Sequence, residues 1–181
     1  MTREQALVLV EQHLHNRNLV KHCLAVEACM REFAAHFGEN PETWALAGLL
    51  HDLDYEYTIE TPAEHTEQTA RLLAGQGLDE GIIHAIKAHN LRVEPVSKMD
   101  FSLLTIDPAS GFIIACALMH PDRKLAGLDL SFMKKRFKEK AFAKGASRQQ
   151  IEGCARLGMT LDEFLALCLG AMQKISPELG L

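Results

Sequence analysis

The sequence predicts an all-α domain, and three observations carry that prediction. Apolar residues recur at three- and four-residue spacing along nearly the whole chain, no sustained alternating run rich in β-branched residues interrupts them, and helix caps divide the pattern into about eight helices. A first helix covers about Arg3 to His15 and stops at Asn16-Arg17-Asn18, where Asn18 is placed to cap a second helix running to Phe37, with Gly38 as its stop. Pro41, tolerated in a first helical turn, opens a third through Glu42 to about Leu53. Thr61-Pro62-Ala63-Glu64 has capping-box spacing and predicts a helix closing near Gly75 to Gly77; Asp79 caps the next, to about His89. Asn90 to Asp100 reads as a loop. Phe101 to Met119 reads as a helix bent or broken at Pro108, whose ring cannot join the normal hydrogen-bond ladder. Two more follow, about Leu130 to Lys144 and Ser147 to Leu157, and a last runs from Thr160 to about Ile175 with Thr160 and Glu163 at capping-box spacing.

With 181 residues, 48% of them apolar, the chain can fill a sizeable core, and residues 1–181 are expected to form one domain. The net charge of −5 gives no global attraction to a nucleic-acid polymer or an anionic membrane, so neither is an expected partner and any basic site must be local. Five cysteines, Cys23, Cys29, Cys116, Cys154 and Cys168, lie mostly in apolar helical stretches without a C-x-x-C pair. Buried, reduced thiols in a cytoplasmic protein are the simplest reading. The N-terminal stretch carries Arg3, Glu4 and Glu11 instead of a signal-peptide apolar core, and the longest uninterrupted apolar run, Phe112 to Met119, is far short of a membrane span.

Nine histidines are a large supply, so placement decides their meaning. His13, His15, His36 and His120 fall near helix ends, where an imidazolium interacts favourably with the helix dipole. His51-Asp52 differs, because it ends the apolar run Trp44 to Leu50 and a polar pair there needs partners. His22 is flanked by Leu19, Val20, Leu24 and Val26, and Asp107 interrupts Leu103-Leu104-Thr105-Ile106 just before Pro108. Each of these four would be costly to bury alone, and a shared divalent cation would satisfy all four together.

The order His22, His51-Asp52, Asp107 resembles the HD-domain superfamily, over about Leu19 to Leu118. That resemblance implies an HD-like helical bundle holding one or two divalent metals, with a metal-binding core at about 19–118 and helices at about 130–176 packed on it. It implies His22, His51, Asp52 and Asp107 as ligands of the first metal, and His65 and His89 as ligands of a second or as contacts to a substrate phosphate. His84 and His89 are five apart on one helix, about 140° around the axis, so they do not address one ion equally; His89, followed by Asn90, is favoured. Many signalling phosphodiesterases of the superfamily read HDIGK, whereas this chain reads His51-Asp52-Leu53-Asp54-Tyr55-Glu56 without the lysine, which speaks against a cyclic-dinucleotide substrate. Asp54 and Glu56 become candidates for positioning the attacking water or tuning a ligand, and Asp52 and Asp54 are the candidate catalytic carboxylates. The strings KKRFKEKAFAKGASRQQI, HDLDYE, IKAHN and IDPASGF are similar to a bacterial subfamily of predicted HD hydrolases.

Lys134 to Lys140 hold five basic residues and one acid in a chain of net charge −5. An anion-binding flank is the functional reading, with Lys134, Arg136 and Lys138 as an outer phosphate clamp and Arg148 beside them; a solvated basic face is the structural one. The expected function is a metal-dependent phosphohydrolase, phosphomonoesterase or phosphodiesterase, acting on a nucleotide or small phosphorylated metabolite. Nitrogen and carboxylate ligands suit Mn, Fe, Zn, Co or Ni, with Mg also admitted, and such an ion would activate water. A di-iron oxygenase and a non-catalytic phosphate-binding regulatory module are the alternatives, and a homodimer stays open.

Overall fold

The computed structural model describes all residues, 1–181, and contains helices and turns but no strand. In chain order the helices are α1 (Arg3–His13), α2 (Arg17–Phe37), α3 (Pro41–Leu50), α4 (Tyr55–Thr58), α5 (Glu67–Leu73), α6 (Glu80–His89), α7 (Lys98–Met119), α8 (Leu130–Phe137), α9 (Arg148–Glu152), α10 (Leu161–Lys174) and α11 (Ser176–Leu179). Eight of these eleven run seven residues or more, in line with the sequence reading. The all-α fold is what the sequence predicts.

Caps set most of the boundaries. Asn40 accepts from the amides of Glu42 and Thr43 with Pro41 behind it, Asp79 caps α6, and Thr160 with Glu163 forms a reciprocal capping box on α10. Gly38 ends α2 at φ +72°, where a Cβ would be strained. Asn16, not Asn18, caps α2, its side chain accepting from the Asn18 amide. α1 stops at His13 because Glu56 gathers the amides of His15 and Asn16, at 3.1 and 2.6 Å, into the turn. Glu56 is therefore a brace for this corner rather than a group facing the candidate site.

Other boundaries depart further from local expectation. The Thr61 capping box does not form; residues 62–64 make one 3₁₀ turn, and α5 begins only at Glu67. Between them Thr66 is held at φ +73°, buried, with its hydroxyl unpaired. Such a backbone costs about 1–2 kcal/mol in a non-glycine residue, so surrounding contacts must impose it. α7 starts at Lys98, earlier than expected, on a Ser97–Asp100 capping box, and continues through Pro108 without a break. By length and composition α7 could cross a membrane, yet most of it is buried inside this bundle. α8 ends at Phe137 instead of near Lys144, and the next segment divides into α9 and a 3₁₀ turn at Gly153–Leu157.

One apolar core runs from Ala6 to Leu179, with Phe33, Phe112 and Phe164 among its largest fully buried side chains. α2 is the central helix. It packs along α3 and also meets α7 and α10, while α6 lies against both α3 and α7. Gly48 of α3 makes the α2–α3 approach close: a Cβ there would lie 2.9 Å from the Val26 carbonyl oxygen and 3.0 Å from the Glu27 backbone. Backbone cannot yield as a side-chain tip does. Gly48→Ala gains about 1 kcal/mol of helix propensity but incurs overpacking of about 1–3 kcal/mol or more. Because the atoms met are backbone, the cost falls in the upper part of that range, and the expected outcome is a net loss of about 1–2 kcal/mol, read as a lower urea midpoint with an unchanged slope; a midpoint at or above that of the parent would contradict the close approach.

Candidate metal centre

Four imidazoles arrive at one point from three helices and a loop. His22 comes from α2, His51 from the turn that ends α3, His65 from the loop before α5, and His89 from the last residue of α6. His51 and His89 are placed by the same local device. A helix leaves its last carbonyls without amide partners; the His51 Nδ1–H donates to the Gly48 carbonyl three residues back (2.8 Å), and the His89 Nδ1–H to that of Ile86 (2.5 Å). His65 donates Nδ1–H to the Asp54 carboxylate at 2.7 Å. The Ser110 hydroxyl gives its proton to the Asp107 carbonyl at 2.9 Å, leaving its oxygen to accept from His22 Nδ1–H at 3.0 Å.

Those bonds fix every tautomer, and each Nε2 then presents a lone pair to the same space. His22 Nε2 and His51 Nε2 are 3.2 Å apart. Asp107 Oδ1 lies 3.0 Å from His22 Nε2 and 3.8 Å from His51 Nε2. Asp52 faces two ways: Oδ2 is 3.3 Å from His51 and 3.6 Å from His22, while Oδ1 is 3.4 Å from His65 and 3.6 Å from His89. Two three-residue groups, His22 with His51 and Asp107 and His51 with Asp52 and His89, offer atoms within 4.8 Å of one another. Lone pairs and carboxylates crowded at these distances repel unless a proton or a cation sits among them. The donor set fits a divalent transition ion, with imidazole nitrogens oriented by carbonyl and carboxylate partners behind them.

Electrostatics without an ion show the same demand. Burial opposes a charge on His51, but the facing carboxylates of Asp52 and Asp107 outweigh it and raise its pKa well above the ordinary value. Burial likewise opposes ionisation of Asp52 and Asp107, yet the neighbouring histidines hold both well below the usual carboxylate range. A proton on His51 and a cation would therefore compete for the same two carboxylates.

The structure brings His22, His51, Asp52, Asp107, His65 and His89 together as grouped by the sequence. Asp54 has a different place. Fully buried, it accepts from His65 Nδ1 and from the Thr69 amide at 2.9 Å, capping α5 from outside that helix. It is a positioning residue for His65, with no free oxygen for an attacking water. His84 turns away to Asp100, 3.0 Å distant. The basic clamp does not form: Lys134 pairs with Asp162 at 2.7 Å, Arg136 with Glu139 at 2.8 Å, and with Lys138 they stay off the lining of the site cavity. Arg148 is an internal clamp, donating to the carbonyls of Phe137, Phe142, Ala143 and Ala146. Ser110 and Gly48 were missed, although Ser110 lies three residues beyond Asp107, on the same helix face.

Above the ligands lies a cavity of about 620 Å³. Tyr55, Asn90 and Gln150 supply its polar rim, Leu19 and Pro108 part of its wall, and small residues of α7 and of the loop before α9 the remainder. It opens to solvent, and its floor is recessed: Asp52 is 7%, His65 13%, His22 17% and Asp107 30% exposed, with His51 fully buried beneath them.

Residues 19–107 match the family model described as HD domain. That stretch ends on Asp107 and encloses all six converging residues. Among curated proteins the chain is similar to Ribonuclease Y of Cutibacterium acnes, 31% identical over 97 residues that make up 53% of this chain and 18% of that one. Ribonuclease Y of Chloroflexus aurantiacus is 29% identical over 97 residues, 54% of this chain and 19% of the relative. Ribonuclease Y 2 of Levilactobacillus brevis is 31% identical over 97 residues, 54% and 18%. The chain thus spans about a fifth of the length of the relatives it matches. No solved structure matches it.

A pH signature follows from the bare site. The raised His51 pKa contributes stability that is complete below the unfolded histidine value of about 6.5 and is lost as pH rises through the folded value. The lowered Asp52 and Asp107 values contribute stability present above about 3.9 and lost only on strong acidification. Chelator-treated protein is expected to lose melting temperature from pH 6 upward, and added Mn²⁺ to raise it more at alkaline than at acidic pH, because the metal displaces protons. An Mn²⁺ increment that is the same at both ends of that range would count against the shared site.

Proposed function

Since residues 19–107 are an HD domain and the chain so belongs to the HD-domain superfamily, we propose that it is a metal-dependent phosphohydrolase cleaving phosphate ester bonds. The observation that carries this reading is the convergence of four Nε2 lone pairs, on imidazoles whose Nδ1 atoms are already bonded, with the carboxylates of Asp52 and Asp107. His22, His51, Asp107 and Asp52 Oδ2 would hold one divalent ion; Asp52 Oδ1, His65 and His89 would hold a second or grip the substrate phosphate. A bound ion supplies Lewis acidity and a lowered pKa for water.

The chain's own residues do the remaining work. Asp54 keeps the His65 proton on Nδ1, so that Nε2 stays an acceptor facing the cavity. The Gly48 and Ile86 carbonyls do the same for His51 and His89. Tyr55, Asn90 and Gln150 offer neutral donors to orient phosphoryl and leaving-group oxygens, and the apolar wall limits stray water at the reacting centre.

The narrower substrate reading, a nucleotide or small phosphorylated metabolite, rests on the cavity's size. Exclusion of nucleic-acid polymers rested on net charge alone, and relatives named Ribonuclease Y argue against keeping it. An RNA phosphodiester joins the substrate classes to be tested. Five buried free thiols support a cytoplasmic setting.

Protein reconstituted with Mn²⁺, Co²⁺ or Ni²⁺ is expected to release phosphate or nitrophenol from a panel of nucleotides, sugar phosphates and bis(p-nitrophenyl) phosphate. His51→Ala and Asp52→Ala should lose about 100-fold or more in kcat/KM, whereas Asp54→Ala should lose about 10–100-fold in metal affinity and recover activity at high metal. Undiminished turnover in Asp52→Ala would refute the assignment. Oxygen uptake after anaerobic iron loading, with no hydrolysis, would move the site to oxidative chemistry.

A further inference from the structure

The cavity over the ligands has no lysine or arginine on its lining. Positive charge lies one loop away. Residues 138–147 leave α8 as a series of turns and lead into α9. Ala143, Gly145 and Ala146 of this loop form one wall of the cavity. Lys138, Lys140 and Lys144, in the same loop, are exposed and take part in no ion pair, while Lys134 and Arg136 are committed to Asp162 and Glu139. The loop is therefore a lip, with small residues toward the metal ligands and free ammonium groups outside the cavity, that of Lys138 on the neighbouring depression it lines with Lys134, Glu139 and Asp162.

Its shape is fixed by a dedicated contact. Arg148 reaches back from α9 and donates to four carbonyls, those of Phe137, Phe142, Ala143 and Ala146. Its guanidinium stacks 4.6 Å from the Phe112 ring and 5.1 Å from that of Phe137. Phe112 belongs to α7, the helix that carries Asp107, so the lip is tied to the element that supplies a metal ligand. Ala143 is held at φ +45°, a backbone that persists only where the surroundings over-determine it.

A small ester lodged in the cavity meets no cation of the chain and leaves the three lysines unused. A substrate that extends past the wall reaches both. We infer that the 138–147 lip is a track for the flanking phosphates of a single-stranded polynucleotide whose reacting phosphodiester lies at the metal ligands, an inference that rests on the phosphohydrolase reading. A single strand is favoured over a duplex because the reacting phosphate must reach recessed ligands, His89 at 3%, Asp52 at 7%, His65 at 13%, His22 at 17% and Asp107 at 30% side-chain exposure, which calls for a backbone free to bend inward. Tyr55, 42% exposed at the cavity rim, offers a face on which a base can stack.

The test compares the full-length Mn²⁺-loaded protein with Lys138→Gln/Lys140→Gln/Lys144→Gln, all at exposed positions. The binding probe is a fluorescent oligouridylate with phosphorothioate linkages, titrated from about 50 to about 200 mM salt. Neutralising three phosphate contacts should lower the slope of log affinity against log salt by about 2, since each contact to a single strand contributes about 0.7. Turnover of bis(p-nitrophenyl) phosphate should stay within about twofold of the parent, since the lysines lie outside the cavity. An unchanged slope, equal affinity for a duplex of the same length, or a parallel loss of small-diester turnover in the folded variant would overturn the inference. Absence of small-diester turnover in the parent with every metal would count against the hydrolase reading alone, and the salt slope would still decide this one.

Discussion

Everything at the centre depends on where four protons have already gone. His22, His51, His65 and His89 each give Nδ1–H to a hydroxyl, a carbonyl or a carboxylate behind them. With those protons committed, four lone pairs and two carboxylates must share one buried volume. A fold can tolerate that only with a compensating cation, because isolated buried anions and unpaired acceptors cost several kcal/mol each. The shifts of His51 upward and of Asp52 and Asp107 downward are the same demand expressed in protons.

Helix ends make this arrangement inexpensive to build. His51 and His89 close the last turns of α3 and α6, using carbonyls that helix geometry would otherwise leave unpaired. α3 can deliver His51 to α2 because Gly48 lets the two backbones approach, so a packing detail and a ligand position are one constraint. α7 supplies Asp107 and, three residues on, the Ser110 that orients His22. Asp54 serves twice, orienting His65 and capping α5, and the strained Thr66 between them marks where these two attachments conflict with local preference.

What the sequence revealed was whatever acts over three or four residues or stands out against its neighbours. Asn40 with Pro41, Asp79, and Thr160 with Glu163 are such signals, and so are polar residues set in apolar helices, His22 and Asp107 among them. What stayed hidden involves partners far apart in the chain. Thr61 has good capping-box spacing, yet α5 takes its cap from Asp54, 15 residues before Thr69. Glu56 looked like a site carboxylate and instead braces a corner 40 residues upstream. Arg148 reads from the sequence as a neighbour of the phosphate-binding flank, because nothing local announces a guanidinium that gathers four carbonyls between two phenylalanine rings. That same clamp is why α8 ends early and the basic run falls partly in a loop.

The separation of the lysines from the metal cavity has its own physical logic. An ammonium inside the cavity would compete with a divalent ion for Asp52 and Asp107, since both are cations offered to the same oxygens. Two unit charges 4 Å apart interact by about 4 kcal/mol at an effective dielectric near 20, enough to weaken metal binding by about a thousandfold. A site built on carboxylates can therefore use lysines to attract an anion only from beyond contact range. Here the small residues of the lip supply that gap, and the Arg148 clamp prevents it from closing.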